Sequence, residues 1–247
     1  MIGTGPGPIE DMTLRALNAI DACDVILGYS TYINLLGSRV EGKEVVVFGM
    51  GEEIARARRA VQEALSGKKA VLVSSGDPGI YGMAGPVLEV IHRENLDVDL
   101  EIIPGVTALC ACSARLGAPI MNDFAVISLS DLLTPWEVVK RRLEAAAQGD
   151  LVVVLYNPGS RGRRTQIEEA RRILLKYRSP QTWVGIVRGA GREGEEVLIA
   201  NLASLPLEKV DMQTTVIIGN STTFVHQGRM VTPRGYREEE SRNAQAR

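Results

Sequence analysis

The sequence predicts a two-domain α/β protein, with mainly parallel strands in its first half and a mixed sheet in its second. Three observations lead there. Short apolar runs alternate with helix-length amphipathic segments along most of the chain, the pattern of strands and helices repeating around a parallel sheet. After Gly185 the alternation gives way to two runs joined by Gly189-Ala190-Gly191-Arg192-Glu193-Gly194, which reads as an antiparallel hairpin. At 247 residues the chain can bury one large core, or two cores from domains of roughly 110–130 residues each.

In chain order, the apolar runs predict strands over 25–27, 45–48, 70–74, 100–103, 124–128, 151–156, 183–187 and 215–218, with 195–200 folding back on 183–188. Between them the 3.6-residue period predicts helices over 13–22, 52–65, 86–93, 107–116, 135–148 and 165–177. Thr13 can cap the first helix, whose Leu14, Leu17 and Ile20 share one face. In the second, Ile54, Val61 and Leu65 line a core face while Arg56 and Arg59 point elsewhere. The stretch Gly117-Ala118-Pro119-Ile120-Met121-Asn122 is the natural boundary, giving domains over 1–117 and 118–236. Residues 237–247 are polar, charged and aperiodic, and read as a flexible tail.

Composition narrows the classes of function. Hydrophobic residues make up 45% and charged residues 23%, with a formal net charge of −2. Such a balance advertises neither a nucleic-acid nor a membrane partner. No apolar run approaches the ~18 residues of a membrane span, and no basic-then-apolar leader opens the chain, so the expected location is cytoplasmic. Cys23, Cys110 and Cys112 are odd in number, which argues against a disulfide framework and for small buried apolar residues. His92 and His226 are the only histidines, too few for a His-rich metal centre, and no metal is expected. Of 28 Lys and Arg residues only six are lysine. That bias reflects either general composition or planar forks kept for a polyanionic small molecule.

Four Gly/Pro-rich turns carry the chemistry. Gly3-Thr4-Gly5-Pro6-Gly7 has glycine at every second position, unlike the G-x-G-x-x-G dinucleotide motif, and no acidic residue ends the next strand at Leu27-Gly28-Tyr29. Only Met1 and Ile2 precede it, so either its strand is nearly absent or the chain starts downstream of its natural beginning. Ser74-Ser75-Gly76-Asp77-Pro78-Gly79-Ile80-Tyr81-Gly82 follows a strand directly, and Asp77 suits either a ligand or an Asx-turn. Ile103-Pro104-Gly105-Val106-Thr107-Ala108 leads from a strand end into a helix, and Leu155-Tyr156-Asn157-Pro158-Gly159-Ser160-Arg161-Gly162-Arg163-Arg164 follows another strand. Loops at strand C-termini are where α/β sheets bind ligands.

In this order and spacing, Gly3–Gly7, Ser75-Gly76-Asp77-Pro78 and Pro104-Gly105-Val106-Thr107-Ala108 resemble the tetrapyrrole (corrin/porphyrin) methylase family of S-adenosylmethionine-dependent enzymes. Three more stretches, 128–136, 155–160 and 231–236, resemble its precorrin-3B / cobalt-precorrin-3 C17-methyltransferase branch. The resemblance implies a homodimer of two-domain α/β chains, each domain a mixed or mostly parallel sheet with flanking helices and the cofactor in the interdomain cleft. Carried over by position, the cofactor site comprises Pro6, Ser75, Gly76, Asp77, Ile80, Thr107, Ala108, Asn157, Ala190 and Thr215. Asn157 stands where several relatives carry methionine. Gly28 and Tyr29 replace acidic or basic residues of relatives, so no catalytic base is transferred to that strand end.

The implied reaction carries methyl from S-adenosyl-L-methionine, leaving S-adenosyl-L-homocysteine, to C17 of precorrin-3B or cobalt-precorrin-3, with ring contraction, in cobalamin biosynthesis. Methyl transfer from a sulfonium to an electron-rich carbon rests on alignment and desolvation rather than on a strong nucleophile. The tetrapyrrole's acetate and propionate arms call for cationic forks, and Arg161, Arg163, Arg164 and Arg188 are the candidates. Ring contraction needs proton transfers, for which Asp131, Ser128 and Ser130 stand at a strand end, although Asp131 could instead cap the helix near Pro135. The alternatives are a C11 or C20 precorrin methylase, a diphthamide methylase of the same family, or a non-catalytic nucleotide- or anion-binding module on this scaffold.

Overall fold

The chain's structure, a computed structural model, describes residues 1–159 and 165–236. It divides into two compact units, Met1–Ala111 and the residues from Cys112 onward. The division falls inside a helix that ends at the 117–122 stretch marked from sequence.

The first unit is built on strands β1 (Ile2–Gly3), β2 (Val25–Tyr29), β3 (Glu44–Phe48) and β4 (Ala70–Ser74), all parallel in the order β1-β4-β2-β3. Its helices are α1 (Leu14–Asp21), α2 (Ser30–Asn34), α3 (Glu53–Leu65), α4 (Ala84–Arg93) and the start of α5 (Ala108–Leu116). Strand residues sort to the two faces by parity. Val25, Leu27 and Leu72 pack with Ala57, Val61, Val87 and Val90 of α3 and α4. Ile26, Val71 and Val73 pack with Ala16, Ile20 and Ile33 of α1 and α2. Burial on both faces of β2 and β4 explains why they read as unbroken apolar runs.

Four expectations change here. Thr13 does cap α1, its Oγ1 accepting from Ala16 N at 3.2 Å, but Leu14 is 76% exposed and Ala16 with Ile20 forms the buried row. On α3 the buried face is Ala57, Ala60 and Val61, while Ile54 and Leu65 are exposed. Arg56 is buried with that face instead of pointing outward. Small side chains let α3 approach the sheet closely, and the arginine's long stem reaches past them. Its Nη2 donates to Gly49 O at 3.0 Å, and its guanidinium lies 6.0 Å from the Tyr29 and Phe48 ring centres. Finally, 100–103 forms no strand. Only Ile103 bridges to Ile2, since a two-residue β1 offers no longer edge.

The second unit holds β5 (Gly117–Ala118), β6 (Phe124–Ser128), β7 (Val152–Tyr156), β8 (Trp183–Arg188), β9 (Glu196–Asn201), β10 (Thr214–Ile218), β11 (Phe224–His226) and β12 (Arg229–Val231), with helices α6 (Trp136–Gln148) and α7 (Thr165–Leu175). The main sheet runs β6-β7-β10-β8-β9. β6 and β7 are parallel, and β10 is antiparallel to both β7 and β8. The expected hairpin is present, with Trp183 opposite Asn201 and Arg188 opposite Glu196. One face buries Ile127, Val153, Leu155, Ile186 and Val216 against Val139, Leu143, Ile167 and Leu174 of α6 and α7. On the other, a Cβ at Gly185 would collide with Leu116, so only glycine lets the end of α5 lie on β8. A small sheet, β11-β12-β5, completes the unit.

Arg178 ties this unit together. Its guanidinium donates to Gly219 O and Leu151 O at 2.6 Å each and to Ala146 O at 3.4 Å, with Asp150 at 3.3 Å. Burial pulls its pKa down and the Asp150 carboxylate opposes that pull. The cation thus joins the end of α6, the start of β7 and the residue after β10. Replacing Arg178 by alanine leaves those carbonyls unpaired inside the protein. We expect the unfolding free energy in urea to fall by about 3 kcal/mol or more, whereas a loss under about 1 kcal/mol would mean a surface-type ion pair.

Candidate active site

Parallel strands end together, so the first unit's loops meet at one edge. Thr4 N donates to Ser74 O at 2.9 Å, Gly76 N to Gly5 O at 2.9 Å, and Gly3 N to Ile103 O at 2.9 Å. Three turns named from sequence (3–7, 74–82 and 103–108) therefore touch backbone to backbone. A Cβ on Gly3 would stand 2.5 Å from Gly76 O and 2.6 Å from Gly105 N. Side chains are excluded from this contact. Gly76 also sits at φ +59°, a left-handed conformation that glycine adopts without strain.

Asp77 fastens the cluster. Its Oδ1 accepts from Gly79 N at 2.8 Å, closing an Asx-turn, and its Oδ2 accepts from Gly105 N at 3.1 Å in the neighbouring loop. Asp77 enters no ion pair among the described residues. Pro6 is buried in the first loop, while Ser75, Gly76, Thr107 and Ala108 are half-buried. Ile80 is exposed above the second loop. Seven of the residues proposed from sequence as cofactor contacts (Pro6, Ser75, Gly76, Asp77, Ile80, Thr107 and Ala108) thus share one sheet edge.

The second unit gathers the others. β6, β7 and β8 end on the edge where antiparallel β10 begins, because Thr214 stands opposite Arg188 and Val216 opposite Leu155. Ser128 Oγ accepts from Asn157 Nδ2 at 2.9 Å and from Ser130 N at 3.2 Å. With both acceptor positions used, the Ser128 hydroxyl proton is left to donate. Asn157, at φ +52°, turns the chain back toward Ser128. Asp131 does not cap α6, whose N-cap Pro135 has no side-chain bond. Instead its Oδ2 accepts from Gln166 Nε2 at 3.0 Å. Ala190 and Thr215 are buried at the same edge.

Arg188 is held in place by Asp211, Nε to Oδ2 at 2.8 Å. Burial would raise the Asp211 carboxyl, but Arg188, Gln213 N–H and Thr214 O–H together keep it below the ordinary carboxylate range. Asp211 and Gln166 were not foreseen. Their only signal in sequence is position, near a strand start and in a helix, and tertiary contact alone gives them partners. Arg161, Arg163 and Arg164 lie outside the described residues, as does the stretch 237–247.

Among the described residues, no group of three His, Cys, Asp or Glu side chains could hold a metal ion. Cys23 and Cys112 are buried as expected, but Cys110 is exposed because α5 turns it outward two residues before Cys112. Burial pushes the Cys112 thiol up to about 11, with a hydrogen bond to Thr215 working against the shift. At pH 8 such a thiol is ionised only about one part in a thousand. Iodoacetamide at pH 8 should therefore add one label per native chain, on Cys110. Peptide mass spectrometry finding the label on Cys112 would contradict its burial.

The profile of a family described as Tetrapyrrole (Corrin/Porphyrin) Methylases matches residues 1–206. The chain is 49% identical, over 98% of its length, to the cobalt-factor III methyltransferase of Priestia megaterium, but spans only 46% of that relative. It is 47% identical to the probable cobalt-factor III C(17)-methyltransferase of Salmonella typhimurium, covering 96% of this chain and 98% of the other. The crystal structure of the methyltransferase CobJ superposes with a TM-score of 0.89 at 33% identity, covering 94% of this chain and 98% of that one.

Proposed function

This chain belongs to the Tetrapyrrole (Corrin/Porphyrin) Methylases family, and from that premise we propose that it methylates C17 of cobalt-precorrin-3 or precorrin-3B, with ring contraction, in cobalamin biosynthesis. The observation that carries the reading is the end-to-end match, at 47% identity, to a relative named for C17 methyl transfer. S-adenosylmethionine, when bound, supplies an electrophilic methyl group on a sulfonium centre.

The residues of the first unit fit that group. Loops that pack glycine on glycine present backbone N–H and C=O groups rather than side chains, and the exposed Ile80 offers an apolar surface. The unpaired charge of Asp77 suits a cationic ligand. We assign Pro6, Ser75, Gly76, Asp77, Ile80, Thr107 and Ala108 to cofactor binding, together with Asn157, Ala190 and Thr215 of the second unit. Asp77 acts by holding loops 74–82 and 103–108 at a fixed spacing.

On the tetrapyrrole side, Arg188 spends one of its five N–H donors on Asp211 and offers the rest to a carboxylate arm. Ser128, with both acceptor sites filled, donates a hydrogen bond where negative charge develops. Asp131, oriented by Gln166, accepts and returns the proton that ring contraction moves. Ser130 fixes the Ser128 rotamer through its own N–H. Arg161, Arg163 and Arg164 complete the anion-binding set in this reading.

The reading includes a cytoplasmic homodimer without nucleic-acid partners. A net charge of −2 and the exposed apolar Val47, Met50 and Ile54 along β3 and α3 support it. No described helix is long and apolar enough to cross a membrane.

Incubation with methyl-labelled S-adenosylmethionine and cobalt-factor III, then with precorrin-3B, should add one labelled methyl at C17, located by mass spectrometry and NMR. Binding of the cofactor with no transfer to either acceptor would overturn the C17 reading. Asp77→Ala removes the acceptor for two backbone N–H groups, so S-adenosylhomocysteine should bind at least about tenfold more weakly by calorimetry. Asp77→Asn, which keeps one carbonyl oxygen, should fall between; equal affinity in all three proteins would remove Asp77 from the site.

A further inference from the structure

Between β6 and α6 the chain turns two leucines into solvent beside the residues assigned to chemistry. Leu132 is 77% exposed and Leu133 98%. The segment that carries them is anchored on both sides. Leu129 is buried in the core and its N–H bonds Tyr156 O at 2.9 Å, and Ser130 N reaches Ser128 Oγ. Asp131 is held by Gln166. After the leucines, Pro135 O accepts from Val138 N at 2.9 Å, and Trp136 Nε1 donates to Glu169 at 2.6 Å. A fixed loop thus presents two adjacent apolar side chains, the most exposed leucines of the described chain.

We propose that Leu132 and Leu133 form an apolar platform for the ring face of the tetrapyrrole and set its position over Asp131. This deepens the reading above and rests on it. Consecutive Cα atoms stand about 3.8 Å apart, so both leucines lie within two such steps of Asp131. A flat macrocycle with one carbon at Asp131 is wider than that spacing, so its ring comes within reach of them. The ligand's two chemistries match the two kinds of group at this edge. Its carboxylate arms meet Arg188, and its conjugated, poorly hydrated ring meets the leucines. Ser128, Asp131 and Arg188 offer polar contacts to the arms, and the leucines add an apolar contact that keeps the ring from pivoting about them.

The test is the double substitution Leu132→Ser and Leu133→Ser, assayed with cobalt-factor III and labelled S-adenosylmethionine. The KM for the tetrapyrrole should rise by at least about tenfold, with kcat much less affected. The KM for S-adenosylmethionine, the melting temperature and the sedimentation coefficient should match wild type. The pair Leu132→Met and Leu133→Met should recover most of what serine loses. An unchanged tetrapyrrole KM overturns the proposal, and so does a loss accompanied by altered sedimentation, which would assign the leucines to a second copy of the chain. If wild-type protein itself methylates neither cobalt-factor III nor precorrin-3B, the functional reading falls and the platform with it. An active wild type indistinguishable from the serine pair refutes the platform alone.

Discussion

Contact between backbones at Gly3, Gly76 and Gly105 governs the geometry of the first unit's loop edge. Gly76 O lies so close to both other glycines that no side chain fits at either. The arrangement follows from topology, because β1 and β4 are neighbouring parallel strands and therefore deliver their C-terminal loops side by side. Once the loops are that close, the Asp77 carboxylate can bond one N–H in its own loop and another in the next. A larger residue at Gly3 or Gly105 would separate the loops, and the Asp77 bridge would be lost with them.

The second unit reaches a comparable result by another route. Its sheet is mixed, and antiparallel β10 lies between β7 and β8. That insertion places the start of one strand beside the ends of others, so Thr214 and Thr215 join Ser128, Asn157 and Arg188 at one edge. Here hydrogen bonds do the positioning that glycine contacts do in the first unit. Ser128 is fixed by Asn157 and Ser130, Asp131 by Gln166, and Arg188 by Asp211. At the opposite end of that sheet Arg178 gathers the ends of α6, β7 and β10 around one buried cation, so the polar groups at the edge where β10 begins need not also hold the fold.

Methyl transfer asks little of side chains beyond alignment, orientation and exclusion of water. A chain with two histidines and no described cluster of metal-binding side chains is equipped for that kind of work. What it supplies in quantity is fixed backbone at strand ends, a few oriented polar groups, and apolar surface at Ile80, Leu132 and Leu133.

The sequence by itself determined the class of fold, the six long helices to within a few residues, the β8–β9 hairpin and the places where loops leave the sheets. Periodicity and glycine placement are local signals, and they survive whatever packs around them. Side-chain environments were decided by tertiary structure. Arg56 reads as a solvent residue until small neighbours on α3 draw its stem inward. Residues 100–103 read as a strand, yet pairing needs a partner edge, and β1 is only two residues long. β5, β11 and β12 are too short to show in a pattern and exist because they pair with one another. Asp131 could have been a helix cap, and Asp77 a ligand or a turn. Each acquired its role from residues distant in sequence or in a neighbouring loop, Gln166 for one and Gly105 for the other. Local chemistry names the residue types, and only the folded chain chooses their partners.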